Sequence, residues 1–328
     1  MFAPFGPGTS AGTPFAATKP QARWKRSTGA DRGDRVDECW LACFSRSDGQ
    51  ACVFDGVRMG GLLHEGRLVS GANAVAAVHR GVVDCTTPPD PWADGLDGLA
   101  RERWIPRNWE RGYRADAQDG EDPGAVFAEE LAAISGPICE IAAGPGGGFM
   151  PRVRRLNPET RIMVNDRSPG VLALWRDFLV SRDLASGLCF AAFDATQPTL
   201  RPGCLAAVSS GWGFGNIDGP GPDPEQDAVC RMAEALRPGG LLFAHEGLHD
   251  SADWAHLAEP QRREWEARFP LLGVPFADRA RRAGLEIVRQ EIRGGRALVP
   301  DEGGVPTEAA RYGITLHLRW EYVKARRP

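Results

Sequence analysis

The chain has 328 residues, of which 42% are hydrophobic and 25% charged, and a formal net charge of -4. That length suits one large domain plus an appendage, and the composition is that of a folded globular protein. The acidic balance argues against a general nucleic-acid binder, which carries a basic surplus, and no apolar run is long enough to cross a bilayer.

Residues 1–36 are rich in Pro, Gly, Ala and Thr, then in Arg and Asp, without periodicity. They read as a disordered leader. Pro4, Pro7 and Pro14 interrupt any hydrophobic signal core, so a cytoplasmic location is expected. Residues 37–98 hold short apolar segments broken by glycines (39–44, 56–60, 74–78 and 81–84), the pattern of a small strand-rich module. Cys39, Cys43 and Cys52 hint at metal. A zinc ribbon needs four ligands, usually in two close pairs, and the second pair is missing: Cys85 stands alone, with His64 and His79 the only other candidates. Packing cysteines without a metal are the favoured reading. Of the eight cysteines, Cys139, Cys189 and Cys204 sit in or beside apolar runs, where a thiol behaves as a small core group.

Residues 99–135 read as a helical cap. Trp104, Trp109 and Tyr113 place aromatic rings in a polar setting, and 126–134 form a short amphipathic helix after an acidic link at 119–124. From 137 onward strands alternate with helices. Strands are expected at 138–143, 161–165, 188–193, 204–209 and 240–245, and helices at 168–184, 224–237 and 260–283. Two longer strands, 285–293 and 312–323, end the chain. The alternation calls for an α/β fold with a mostly parallel sheet, helices on both faces and right-handed crossovers. A long loop at 294–311, with no helix, joins the last two strands and makes one of them antiparallel. The domain plan is thus a leader (1–36), a small module (37–98) and a main domain (99–328) with its cap at 99–135.

The chemistry-bearing positions follow the strand ends. The turn from Gly144 to Gly148 lets backbone approach a ligand without Cβ clashes, and a helix N-terminus beyond it favours polar groups. Glu140 is a carboxylate inside an apolar strand, costly unless it meets a donor or cation. Asp166 closes the second strand, where a carboxylate can accept from a ribose diol; it can also cap the helix near Ser168, and the two roles coexist because Ser168 is itself a good cap. Asp194 ends the third strand and can accept from an exocyclic amine; a turn residue is the alternative. The loop after the fourth strand, 209–218, alternates glycines with Trp212, Phe214 and Asn216. His245 and Glu246 end the fifth strand, and histidine is the natural proton acceptor near neutral pH.

Four segments taken together, EIAAGPG (140–146), VND (164–166), FDA (193–195) and LRPGG (236–240), resemble the successive motifs of class I S-adenosylmethionine-dependent methyltransferases, in order and spacing, over residues 137–323. The resemblance implies a Rossmann-like seven-stranded sheet with an antiparallel last strand, and S-adenosylmethionine as cofactor with S-adenosylhomocysteine as product. It implies that Glu140 and the backbone from Gly144 to Gly146 face the methionine part, Asp166 the ribose, and Asp194 with Ala195 the adenine, with Ala142, Arg167 and Ser209 also in the cofactor site. His245 and Glu246 are then the nearest bases, and Trp104, Trp109, Tyr113, Trp212, Phe214 and Asn216 line the acceptor site. The chain departs from the pattern at Ala142, where glycine is common, and at 204–207, which lacks an acid. The loop after the fourth strand also carries no catalytic signature of nucleic-acid amine or catechol methyltransferases. The segment 37–98 resembles, in part, the zinc-ribbon-like leader of some methyltransferases, with most ligands lost.

The partner expected is a small-molecule acceptor methylated on oxygen or nitrogen, with an aromatic or natural-product-like metabolite in view and neither nucleic acid nor membrane. A homodimer is entertained, although nothing in the sequence specifies it. Two other readings stand beside this one: a non-methylating S-adenosylmethionine-binding protein, and an NAD-dependent oxidoreductase. The second fits less well, because a dinucleotide turn wants a small residue where Phe149 stands.

Overall fold

The computed structural model describes residues 40–44, 52–59, 62–70, 73–86, 103–114, 123–219, 221–269, 272–299 and 304–328. The expected leader, Cys39 and the acidic link up to residue 122 lie outside them. Strands β1 (Val53–Met59), β2 (Leu62–Ser70), β3 (Asn73–His79) and β4 (Val82–Asp84) precede helices α1 (Ile105–Arg114) and α2 (Pro123–Ala132). Then come β5 (Ile138–Glu140), α3 (Met150–Leu156), β6 (Ile162–Asp166), α4 (Pro169–Val180), β7 (Leu188–Ala192), β8 (Leu205–Gly211), α5 (Pro224–Ala235) and β9 (Leu236–Asp250). The chain ends with α6 (Glu259–Arg268), α7 (Phe276–Arg282), β10 (Glu286–Ala297), α8 (Gly304–Arg311) and β11 (His317–Arg326).

The strands form one sheet in the order β1-β2-β3-β4-β7-β6-β5-β8-β9-β11-β10. β4, β7, β6, β5, β8 and β9 run parallel to one another, while β11 is antiparallel to both β9 and β10. The antiparallel terminal strand agrees with the sequence, and the strand order reverses at β5. The strand count does not: the sheet has eleven strands rather than seven. The excess is β1–β4, an antiparallel meander whose last member pairs in parallel with β7, Val82 opposite Phe190. The stretch expected as a separate module therefore prolongs the main sheet. Short, glycine-broken strands carry no mark of the neighbour they will pair with, which is why sequence separated them.

β5, β6 and β7 are buried at every position, as parallel strands with both faces covered must be. One face packs Cys139, Met163, Val208 and Leu242 against α5 and α7 through Val229, Met232, Phe276 and Ala280, with Trp40 and Phe44 in the same core. The other packs Ile138, Ile162, Val164 and Phe243 against α2, α3 and α4 through Phe127, Leu131, Val153, Leu172 and Trp175. A third, small core joins Trp265 of α6, Ala309 of α8, and Leu298, Ile314, Leu316 and Leu318.

That third core corrects two expectations. The helix expected at 260–283 is two helices, α6 and α7, because Gly273 is left-handed at φ 82° and Pro275 precedes α7. The loop expected at 294–311 contains α8, whose Pro306 lies in the first turn, where proline needs no backbone donor.

α5 and α7 are tied by a buried cation. Arg279, 2% exposed, reaches both carboxylate oxygens of Asp223 (2.7 and 2.5 Å) and sits 3.1 Å from Glu225. Asp223 is also the N-cap of α5, accepting from the Gln226 amide. Removing one partner of such a pair strands the other charge in the core. Arg279→Ala is expected to lower unfolding free energy by about 3–5 kcal/mol, measured by urea denaturation; a loss below about 1 kcal/mol would show that the cluster does not hold the two helices.

Candidate functional site

The order of strands reverses between β5 and β8, and the crevice at the carboxyl ends of such strands is where doubly wound sheets bind ligands. The glycine turn lies there. Gly144, Gly147 and Gly148 are left-handed (φ 52°, 76° and 53°). A Cβ on Gly148 would fall 1.7 Å from Glu140 Oε1, and one on Gly147 would fall 2.8 Å from the Trp175 ring. At Gly146 a Cβ would meet nothing within 4 Å, so this position faces open space. The turn is pinned by Trp175 Nε1 donating to the Gly144 carbonyl (2.8 Å) and Asn108 of α1 donating to that of Pro145 (3.1 Å). Ala142, standing where glycine is common, is left-handed at φ 48°.

Asp166 links this turn to the next helix. Its Oδ2 accepts from the Gly144 amide (2.8 Å) and its Oδ1 from the Ser168 amide (2.9 Å). Ser168 in turn caps α4, accepting from the Val171 amide. Ser168 is the cap, as the sequence allows, and Asp166 braces the helix start through the Ser168 amide. Asp194 accepts from the amide and hydroxyl of Thr196, both at 2.8 Å. Arg167 pairs with Asp218 at 2.9 Å, joining the end of β6 to the loop after β8. Ala195 is buried in the first core.

Two consecutive serines of β8 meet two buried carboxylates. Ser209 Oγ donates to Glu140 Oε2, and Glu140 Oε1 accepts from the Gly211 amide at 3.1 Å. Ser210 Oγ donates to Glu246 Oε1 at 2.6 Å; Glu246 also accepts from the amides of Phe214 and Gly215, each at 3.2 Å. Burial pushes Glu140 up to about 7 and Glu246 up to about 8, against the pull of those donors. Glu246 was expected as a base. Its two oxygens instead hold the loop after β8, and it lies on the sheet face opposite His245, as neighbours in a strand must.

His245 faces the second core. Its ring stacks on Tyr322 (4.3 Å, 7°) and stands edge-on to Trp320 (5.9 Å, 77°). Trp212 packs on Trp320 with ring centres 4.4 Å apart, and its Nε1 donates to His245 Nε2 at 3.4 Å. Trp212 is 38% exposed and left-handed at φ 66°. Asn216 Nδ2 donates to the Trp212 carbonyl.

The remaining acceptor-site expectations divide. Phe214 turns away into the first core, 5.2 Å from Phe276. Trp109 is buried in the second core, edge-on to Phe178 at 6.1 Å, and Trp104 packs partly buried against that core. Tyr113 lies in α1, with its side chain outside the described residues. Trp320 and Tyr322 were missed. They alternate along β11 and so share a face, but only the pairing of β11 with β9, Tyr322 opposite His245, brings them here. Among the described residues no group of three His, Cys, Asp or Glu side chains could hold a metal ion. Phe149, at the third-glycine position of a dinucleotide turn, is 4% exposed and packs near Phe127.

No protein-family model matches the chain, and no curated protein matches it. Among solved structures it is similar to the [4+2]-cyclase SpnF, with 16% identity and a TM-score of 0.47 over 72% of this chain and 95% of that one. It is also similar to geranyl diphosphate C-methyltransferase from Streptomyces coelicolor A3(2), with 13% identity and a TM-score of 0.46 over 74% of this chain and 100% of that one. The MccD protein gives 10% identity and a TM-score of 0.45 over 62% and 96%. At such identities and TM-scores these likenesses define neither a family nor a role. Strand order and the antiparallel last strand give the chain a Rossmann-like α/β fold with a mixed sheet. No subfamily is defined by them.

Ala142 carries left-handed strain that glycine would not. Ala142→Gly is expected to raise stability by about 0.5–1 kcal/mol, read as a higher melting temperature; a lower one would place the Ala142 methyl among needed contacts.

The buried carboxylates make stability pH-dependent. In the unfolded chain both titrate near 4.5, and in the folded chain near 7 and 8. Between those values the folded state holds more protons than the unfolded one, so stability is complete below pH 4.5 and is lost as pH rises through 8. Glu225, which raises Glu246 further, adds in the same direction. The melting temperature is expected to fall between about pH 5.5 and about pH 8.5, and Glu246→Gln to flatten the upper part of that fall. A wild-type profile that rises across this window contradicts the assignment.

Proposed function

We propose that this chain is an S-adenosylmethionine-dependent methyltransferase acting on an oxygen or nitrogen of a small-molecule acceptor. The observation that carries the reading is the turn at 144–148: its Gly146 faces open space, its Gly144 amide is bound to the acid that ends β6, and it stands at the reversal of strand order. The donor set fits the cofactor. The open side of Gly146 is a cradle that any side chain would fill. Asp166 ends β6 and Asp194 follows the end of the adjacent β7, and a carboxylate has acceptor capacity beyond two donors, suited to ribose hydroxyls and an adenine amine.

S-adenosylmethionine, when bound, supplies an already activated methyl group on a sulfonium sulfur. The protein's own work is therefore alignment and exclusion of water. Glu140 fixes the turn against the loop after β8, α1 covers the turn through Asn108, and the aromatic wall of Trp212, Trp320 and His245 borders the acceptor side. Of the two bases expected, His245 is the one on that side.

Calorimetry should show S-adenosylhomocysteine binding at micromolar affinity. Asp166→Ala should weaken it by at least about tenfold, the scale of one hydrogen bond to a charged group, with circular dichroism confirming that the variant folds. Folded wild-type protein giving no heat with either cofactor form would end the methyltransferase reading.

A further inference from the structure

Trp212 occupies a place that its surroundings have shaped for a flat ring bearing a hydrogen-bond donor. The indole lies on Trp320 at 4.4 Å and presents its N–H to His245 Nε2. An indole nitrogen can only donate, so Nε2 is an acceptor here. The bond is long, 3.4 Å against the usual 2.9–3.0 Å for N–H donors, and the side chain making it is 38% exposed. His245 does not shift to improve it, because its ring is stacked on Tyr322.

The backbone beneath the indole is fixed. The Trp212 amide donates to the His245 carbonyl at 2.8 Å, and its carbonyl accepts from Asn216. Gly211 packs so closely that a Cβ would fall 2.9 Å from Gly148 Cα; at Gly213 it would fall 2.3 Å from the Ile141 carbonyl oxygen. What can move is the side chain alone. The φ of 66° is strain of the kind retained at working sites, and it holds this one ring over Trp320. The 4.4 Å spacing leaves no room for a third ring between the two indoles, so a ligand must take the place of Trp212.

We propose that Trp212 is a side-chain gate standing in for the methyl acceptor, and that the acceptor is a planar aromatic molecule carrying a ring N–H or a phenolic O–H. On entry it displaces the indole, stacks on Trp320 and donates its hydrogen to His245 Nε2. A ring without a donor leaves Nε2 unsatisfied at a half-buried position, which disfavours it. The hydrogen handed to Nε2 is the one the acceptor must lose: the O–H or N–H bond breaks, the proton passes to the imidazole, and the electron pair stays on the heteroatom as its nucleophilic lone pair. His245 is thus a catalytic base, Tyr322 its positioning residue and Trp320 the platform. The acceptor's role in methyl transfer rests on the function proposed above; the gate and its ligand class are tested without cofactor.

The test uses the full chain with small probes. Trp212→Ala should bind indole at least about tenfold more tightly than wild type, and N-methylindole at least about tenfold more weakly than indole. Phenol against anisole should repeat the contrast. Trp212→Ala combined with His245→Ala should abolish it. Trp212→Phe, which keeps a ring and drops the donor, is the second variant should Trp212→Ala fail to fold; it should bind indole better than wild type does. Equal binding of indole and N-methylindole to a folded variant, or binding of neither, overturns the proposal. Failure of S-adenosylhomocysteine to bind while the probe contrast holds would overturn methyl transfer and leave the aromatic site standing.

Discussion

The crevice depends on two hydrogen bonds made by neighbouring residues. Ser209 and Ser210 are consecutive in β8, so their side chains leave opposite faces of the sheet. Each meets a carboxylate that burial would otherwise make untenable. On one face Glu140 ties β5 to the Gly211 amide and packs under Gly148. On the other, Glu246 ties β9 to the amides of Phe214 and Gly215, while Ser210 Oγ accepts from those of Gly213 and Phe214. One strand end thus fixes two glycine-rich loops. Where these loops approach most closely they carry glycine, so the backbone there is held by the carboxylates, while Phe149 and Phe214 anchor the loops in the cores.

The arrangement explains why the carboxylates are tolerated. A buried acid that accepts several backbone donors replaces the capping that loops usually take from water. Glu321 of β11 repeats the device, accepting from the amides of Phe276 and Ala277 at the start of α7 and from Gln290. Buried glutamates in this sheet thus serve as fasteners for backbone that leaves it. β11 reaches the third core through Leu318, with Trp320 packed against both it and the second core. The Trp212 ring is therefore backed by strand residues, Trp320 and His245.

Much of this was legible in the sequence, and what was not had a common cause. The strands from β5 to β8 were readable because burial on both faces makes them continuous apolar runs ended by glycines or acids. Asp166, Asp194 and the glycine turn were readable because each follows an apolar run, and the alternation of strands and helices brings the ends of such runs to one edge of the sheet. Glu246 was misassigned because its partners lie 36 and 32 residues back in the chain, at Ser210 and Phe214. Trp320 and Tyr322 were missed for the same reason: β11 inserts between β9 and β10, so residues near the end of the chain enter a site begun by β5. The strands of 53–84 were expected, but their continuity with the main sheet and α8 were missed, because short elements draw their stability from neighbours and show little periodicity of their own.

Two non-glycine residues in the crevice, Ala142 and Trp212, share a left-handed backbone, and their circumstances differ. Ala142 sits inside the bend between β5 and the turn, its amide bonded to Asn165 Oδ1 at 3.3 Å. There the conformation is demanded by the turn and the methyl is incidental, so a glycine would serve the same path with less strain. At Trp212 the flanking Gly211 and Gly213 already supply the freedom to bend, and glycine at the middle position would be the least strained choice as well. An indole there, half-exposed and donating to a histidine whose ring is locked by stacking, is a side chain kept against backbone preference. Strain at the first position is a cost of geometry. At the second it is a cost of the ring, and that points to the ring's own contacts as its reason for being there.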